Sequence, residues 1–241
     1  MIISDTYKYV FVELPRTGST AISRELRANY EGKPILTKHA TYYDFLKIAS
    51  EQQKRYFVFA GIRNPLDDVV SLYFKYKTDH RQQFTDPVKV GRKRTSIYYL
   101  DNLAFRFVRE KDADFPTFFK TFYRIPYNNW SQLSHKQFDF IIRFEHIQDD
   151  FARALERIGI QPKRPLPSVN QTGGKHRDFW SYYTPETIPH AKRIFGPFMK
   201  KWGYEFPQEW GATDVAWWNQ MEFEFFNLFR NVYWKHLKSY I

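Results

Sequence analysis

Arg16, Thr17, Gly18, Ser19 and Thr20 stand together between an apolar run and a helical repeat that begins with Ala21 and Ile22. Residues of these types at such a junction bind anions: glycine permits the tight backbone, the first helical turn offers N–H groups, and arginine adds a charged fork. The ligand they imply is a phosphate. The Walker nucleotide pattern requires Gly, four residues, then Gly-Lys-Ser/Thr, whereas here no glycine stands at that spacing before Gly18 and no lysine follows it. Arg16, set before the glycine, supplies the positive charge instead. A plain strand-to-helix turn capped by Gly and Ser/Thr would show the same residues, so a second element must decide.

Two further positions carry chemistry. Arg63 closes the most apolar run of the chain, with Ser71 two helical turns beyond it. Open α/β sheets bind ligands at the C-terminal ends of their strands, which places Arg63 and Ser71 for a second phosphate. His39 ends a short apolar stretch read as a strand, on the same rim as both arginines. An ordinary imidazole pKa of about 6.5 suits proton abstraction near neutrality, with Asp44 and Glu145 as reserve bases.

The elements that must position these residues follow from periodicity. Apolar runs at residues 10–14, 35–39, 56–63 and 138–145 read as strands, and 56–63 is central in a parallel sheet. Helical spacing recurs at residues 20–30, 41–50, 65–76, 96–108, 115–123, 149–158, 185–195 and 217–237. Thr41 with Asp44 forms a cap, Pro65 opens a helix, and Gly159 stops another. Strand and helix in alternation predict an α/β fold: a P-loop-like, doubly wound parallel β-sheet flanked by helices, with a helical C-terminal part. No Gly/Ser-rich linker divides the chain, so residues 1–241 are expected to form one domain. In the last helix Trp218, Met221, Phe225, Leu228, Phe229 and Val232 make one stripe, expected to pack on the core.

The 241 residues carry a formal net charge of +11, which predicts an anionic partner without choosing it. The absence of cysteine excludes disulfides, thiolate catalysis and Cys-ligated zinc, and fits a reducing compartment. No basic, apolar leader and no apolar stretch of spanning length is present, so a soluble, cytoplasmic protein is expected, with no membrane span.

Residues 15–20 together with residues 63–73 resemble the two cofactor signatures of the sulfotransferase family. In that family the first segment holds the 5′-phosphosulfate of 3′-phosphoadenosine-5′-phosphosulfate (PAPS). The second, Arg-x-Pro and a helix carrying serine, holds the 3′-phosphate. Residues 140–145 are similar to the family's fourth-strand segment. Residues 170–177, with Gly174, Lys175 and Arg177, are similar to the loop that closes over the nucleotide. Residues 38–45 resemble the His-x-x-x-Tyr segment of glycan 2-O-sulfotransferases, His39 standing at the position of the proposed base and Tyr43 at that of the tyrosine. Arg16 replaces the lysine of many members and keeps its charge with bidentate reach.

The resemblance implies sulfuryl transfer from PAPS, leaving 3′,5′-bisphosphoadenosine (PAP), to a hydroxyl or amine of a carbohydrate or small-molecule acceptor. The cofactor-binding set is then Arg16, Thr17, Gly18, Ser19, Thr20, Ala21, Arg63, Ser71, Gly174, Lys175 and Arg177, with His39 and Arg16 catalytic. No metal is required, and the spacing of the seven histidines suggests none. Tyr43, Tyr73, Tyr76 and Arg94 are candidates for the acceptor, as stacking rings and a cation, or else core aromatics and a solvated loop. A P-loop kinase or NTPase, or a non-catalytic nucleic-acid binder, are the alternatives. The first lacks its lysine motif, and the second lacks a recognised module, so no nucleic-acid partner is expected. These motifs do not encode the oligomeric state.

Overall fold

The computed structural model describes residues 1–91, 96–129, 138–167, 174–176, 178–212 and 214–233. Arg92, Lys93, Arg94, Arg177 and residues 170–173 lie outside the described residues. Two compact units are built from non-contiguous pieces. The first comprises Met1–Arg63, Asn128–Asn170 and Glu224–Ile241, the second Asn64–Tyr127 and Gln171–Phe223.

The first unit holds a five-stranded sheet made of β1 (Ile2–Ser4), β2 (Tyr9–Val12), β3 (Lys33–Pro34), β4 (Phe57–Ile62) and β5 (Phe140–Arg143), in the order β3-β1-β2-β4-β5. Strands β2, β4 and β5 run parallel, as an α/β fold requires. Strands β1 and β3 join that sheet antiparallel, and β1 went unread in the sequence. The strand expected at residues 35–39 is replaced by the two-residue β3. Pro34 cannot extend a ladder as a donor, and Leu36 turns the chain away with φ 61°.

Register explains the core. Phe11, Phe59 and Phe140 lie abreast on neighbouring strands, with the Phe11 and Phe59 rings 5.1 Å apart. Helix α1 (Ser19–Asn29) adds Ile22 and Leu26 to this cluster, and α7 (Ile147–Arg157) adds Phe151 and Leu155. Helix α2 (Tyr42–Ile48) starts on the expected capping box, Thr41 and Asp44 bonding each other's backbone N–H.

The second unit is helical. Helix α3 (Pro65–Lys77) begins with Pro65 in its first turn and the Asn64 side chain accepting from the Leu66 N–H at 3.0 Å. Further helices are α4 (Pro87–Gly91), α5 (Ser96–Glu110), α6 (Phe115–Phe122) and α8 (Ile188–Trp202). Their aromatic core centres on Phe118, Phe119, Tyr183 and Phe195. Helix α9 (Trp217–Val232) carries residues of both units. Its stripe does not pack on a core: Trp218, Met221, Phe225, Leu228, Phe229 and Val232 are all exposed, and Phe223 and Asn227 are buried instead.

Candidate active site

The loop between β2 and α1 takes its shape from two left-handed residues. Gly18 caps α1 with φ 75°, and Arg16 adopts φ 62°. An arginine so placed costs about 1–2 kcal/mol of backbone strain, a cost met at sites where the surroundings fix the conformation. Here Thr17, fully buried, straps the loop by donating its hydroxyl to the Leu14 carbonyl at 3.0 Å. That spends the Thr17 hydroxyl hydrogen inside the loop. Gly61 of β4 lets the loop lie flat, for a Cβ there would meet the Thr17 carbonyl oxygen at 2.9 Å. Nothing in the sequence singled out Gly61, since glycine inside an apolar strand reads only as a weak position.

The first intrahelical bond of α1 runs from the Ala21 N–H to the Gly18 carbonyl, leaving Ser19 and Thr20 to present the N–H groups of the first turn. That turn contains no acidic residue, so the positive end of the helix dipole is offered outward rather than neutralised internally. The donors and shape fit the phosphosulfate end of a nucleotide. Ser19 and Ala21 are buried, and Thr20 accepts from Lys38 Nζ at 2.8 Å.

Arg63 joins this loop. Its Nη1 donates to the Arg16 carbonyl at 3.3 Å, and its guanidinium lies 4.2 Å over the Phe144 ring. Arg16 itself is exposed.

His39 reaches the other end of the same loop. It does not end a strand: it sits in a turn with φ 67°, its Nδ1 2.6 Å from the Glu13 carbonyl oxygen. A carbonyl only accepts, so Nδ1 carries the hydrogen and Nε2 keeps its lone pair. Burial pushes the His39 pKa below its ordinary value, opposed by the Glu13 bond and assisted by the charge of Lys38. The reserve carboxylates are otherwise placed. Asp44 is buried as the α2 cap, bonded to Thr41 and Lys47, while Glu145 is exposed in the turn after β5.

A cavity of about 250 Å³ lies along α1, lined by Thr20, Ser23, Arg24 and Arg27 of the helix, with Lys38 and Glu13 opposite. Those helix positions are spaced 0, 3, 4 and 7, one face of α1. Three cations border this hollow beside the loop that holds His39.

In the second unit, Lys175 meets α3. Its Nζ pairs with Asp67 and donates to Ser71 Oγ at 3.1 Å, and Gly174 takes φ 77° with Phe74 beside it. Three of the expected 3′-phosphate residues are thus neighbours of one another or of α3. Tyr73 and Tyr76 are not acceptor-stacking rings. Both are buried, Tyr73 donating to the Ala113 carbonyl at 3.0 Å and Tyr76 to Asp101 at 2.8 Å, among Phe84, Phe115 and Phe118. The helical period of α3 turns both inward. Tyr43 is half-buried on α2. Arg94 and Arg177 lie outside the described residues. Among those residues no three His, Asp or Glu side chains converge as metal ligands would, and no helix is long and apolar enough to cross a membrane.

The family model for sulfotransferases matches residues 1–195. The chain belongs to the sulfotransferase family. The match takes in the Arg16 loop, His39, Arg63, Ser71 and Lys175, and with them the fold expected from the strand and helix order. No curated protein and no solved structure matches the chain significantly. Sulfuryl transfer is therefore the general activity of this sulfotransferase; Arg16 stands on its β2–α1 loop, and Arg63 and His39 each hydrogen-bond to that loop's backbone.

Proposed function

We propose that this sulfotransferase moves a sulfuryl group from PAPS to a hydroxyl or amine of a carbohydrate or small-molecule acceptor, with His39 as general base. PAPS, when bound, supplies an activated sulfuryl group whose leaving phosphate gathers negative charge. The observation that carries the reading is the anchoring of a base and of a phosphate-binding arginine on the loop that bears Arg16: His39 on the Glu13 carbonyl, Arg63 on the Arg16 carbonyl.

Within this reading Arg16 and the N–H groups of Ser19 and Thr20 stabilise the phosphosulfate and the charge that grows on it. Arg63, Ser71, Gly174 and Lys175, with Arg177, serve the 3′-phosphate. His39 Nε2 takes the acceptor proton, its ring oriented through Nδ1. Tyr43 is assigned to the acceptor, which lies along the Thr20–Arg27 face of α1, where Arg24, Arg27 and Lys38 favour an acceptor rich in oxygen.

The test is calorimetric titration with PAP, followed by incubation with radiolabelled PAPS and a panel of sugars, oligosaccharides and amines. PAP binding without magnesium and label transfer to one acceptor class are expected. Magnesium-dependent ATP binding with no response to PAP would replace this reading with a kinase or NTPase.

A further inference from the structure

Helix α9 presents its apolar side to solvent. Trp218, Met221, Phe225, Leu228 and Val232 follow one another at intervals of three, four, three and four residues, and the first four are 61%, 62%, 58% and 62% exposed. Trp217 and Phe229 widen the stripe. The remainder of the same helix is held in place, on its far side and on one flank. Phe223 is fully buried, Arg193 Nε donates to Glu222 at 3.1 Å, and Asn128 Nδ2 donates to the buried Asn227 Oδ1 at 3.1 Å. The orientation of the stripe is thus set by its anchoring.

We propose that α9 pairs with α9 of a second copy of this chain, forming a two-fold helix-to-helix seam. An alternating three- and four-residue repeat is the narrow seam that one helix offers another helix, narrower than the broad face used to cover a core. Sixteen residues of helix give a seam about 24 Å long. Four aromatic side chains with methionine, leucine and valine expose on the order of 1,000 Å², beyond what a monomer ordinarily shows and enough for the roughly 800 Å² per partner of a stable interface.

Charge selects a protein partner over a lipid surface. Interfacial helices carry Lys and Arg beside their apolar face, whereas the described length of α9 has a single basic residue, Arg230, and sets Glu224 and the Glu222–Arg193 ion pair beside the stripe. Antiparallel pairing across a two-fold axis brings Phe225 against Leu228 of the partner subunit, and Met221 against Val232 of the partner subunit, large groups opposite smaller ones.

Sedimentation equilibrium of the full chain tests this. A dimer at micromolar concentration is expected, with Phe225→Glu raising the dissociation constant at least about thirtyfold while the circular dichroism spectrum is retained. Because the chain has no cysteine, cross-linking of a Phe225→Cys variant by a bismaleimide long enough to span the three-residue offset between the two copies of residue 225 reads the seam independently, even if the glutamate variant is unfolded. Covalent dimer is expected from it and not from Lys200→Cys. A wild-type monomer at 100 µM, or a Phe225→Glu variant that folds and stays dimeric, overturns the proposal. So does Phe225-dependent pelleting with phosphatidylserine vesicles by a chain that is monomeric without them.

Discussion

The Arg63 guanidinium donates to the main-chain oxygen of Arg16, 47 residues earlier in sequence, while stacking on Phe144. One arginine therefore buttresses the backbone of the other, and neither can be treated as an isolated surface charge. Arg63 supports the left-handed turn that aims Arg16 and presents its remaining donors to a ligand.

Arg63→Ala is expected to weaken PAP binding by about ten- to a hundredfold, the size of one or two charge-assisted bonds. Calorimetry against adenosine 5′-phosphate separates the two duties. A loss confined to PAP assigns Arg63 to the 3′-phosphate, and equal losses for both nucleotides restrict it to shaping the loop. Arg63→Lys should recover only part of the affinity, because an ammonium cannot stack on Phe144 and bridge to Arg16 at once.

His39→Ala should leave PAP affinity nearly intact and slow turnover at least about a hundredfold. In the wild type the pH profile of kcat/KM, which reports the free enzyme, should fall on the acid side, below about 6.5. The sign follows from burial: the folded protein holds the neutral ring to lower pH than a free histidine, so the basic form persists until that lowered value is crossed. A limb lying above the free value, or an active alanine variant, removes His39 as the base.

Gly61→Ala places a methyl group within 2.9 Å of the Thr17 carbonyl, a backbone atom strapped in place. The loop must shift. Denaturant titration should show a loss of about 1–3 kcal/mol, accompanied by weaker PAP binding. Unchanged nucleotide affinity would mean that the cradle tolerates displacement.

Tyr73→Phe removes the donor to the buried Ala113 carbonyl and should cost about 1–2 kcal/mol in stability with acceptor KM unchanged. A raised KM at unchanged thermal midpoint would return Tyr73 to the acceptor site.

Legibility in the sequence followed the range of the forces involved. The β2–α1 loop, the Thr41–Asp44 cap and the Pro65 helix start were readable because their determinants lie within a few residues of each other. Strands β1 and β3 were not, since three- and two-residue strands owe their existence to partners elsewhere in the chain. His39 was found for a reason the structure replaces: a bond across 26 residues, rather than a strand end, brings it to the loop. Periodicity revealed the stripe of α9 but carries no sign for inside or outside, and Tyr73 and Tyr76 show the same ambiguity in reverse.

The clamp on His39 has a kinetic corollary. A ring whose Nδ1 hydrogen is committed to the Glu13 carbonyl loads and unloads protons through Nε2 alone. A proton acquired there must depart by the door through which it entered, and that door stays shut while the finished product stands in it. With His39 as the proposed base, its resetting and the clearing of product become a single event, and solvent deuterium should slow the steady state more than the first turnover.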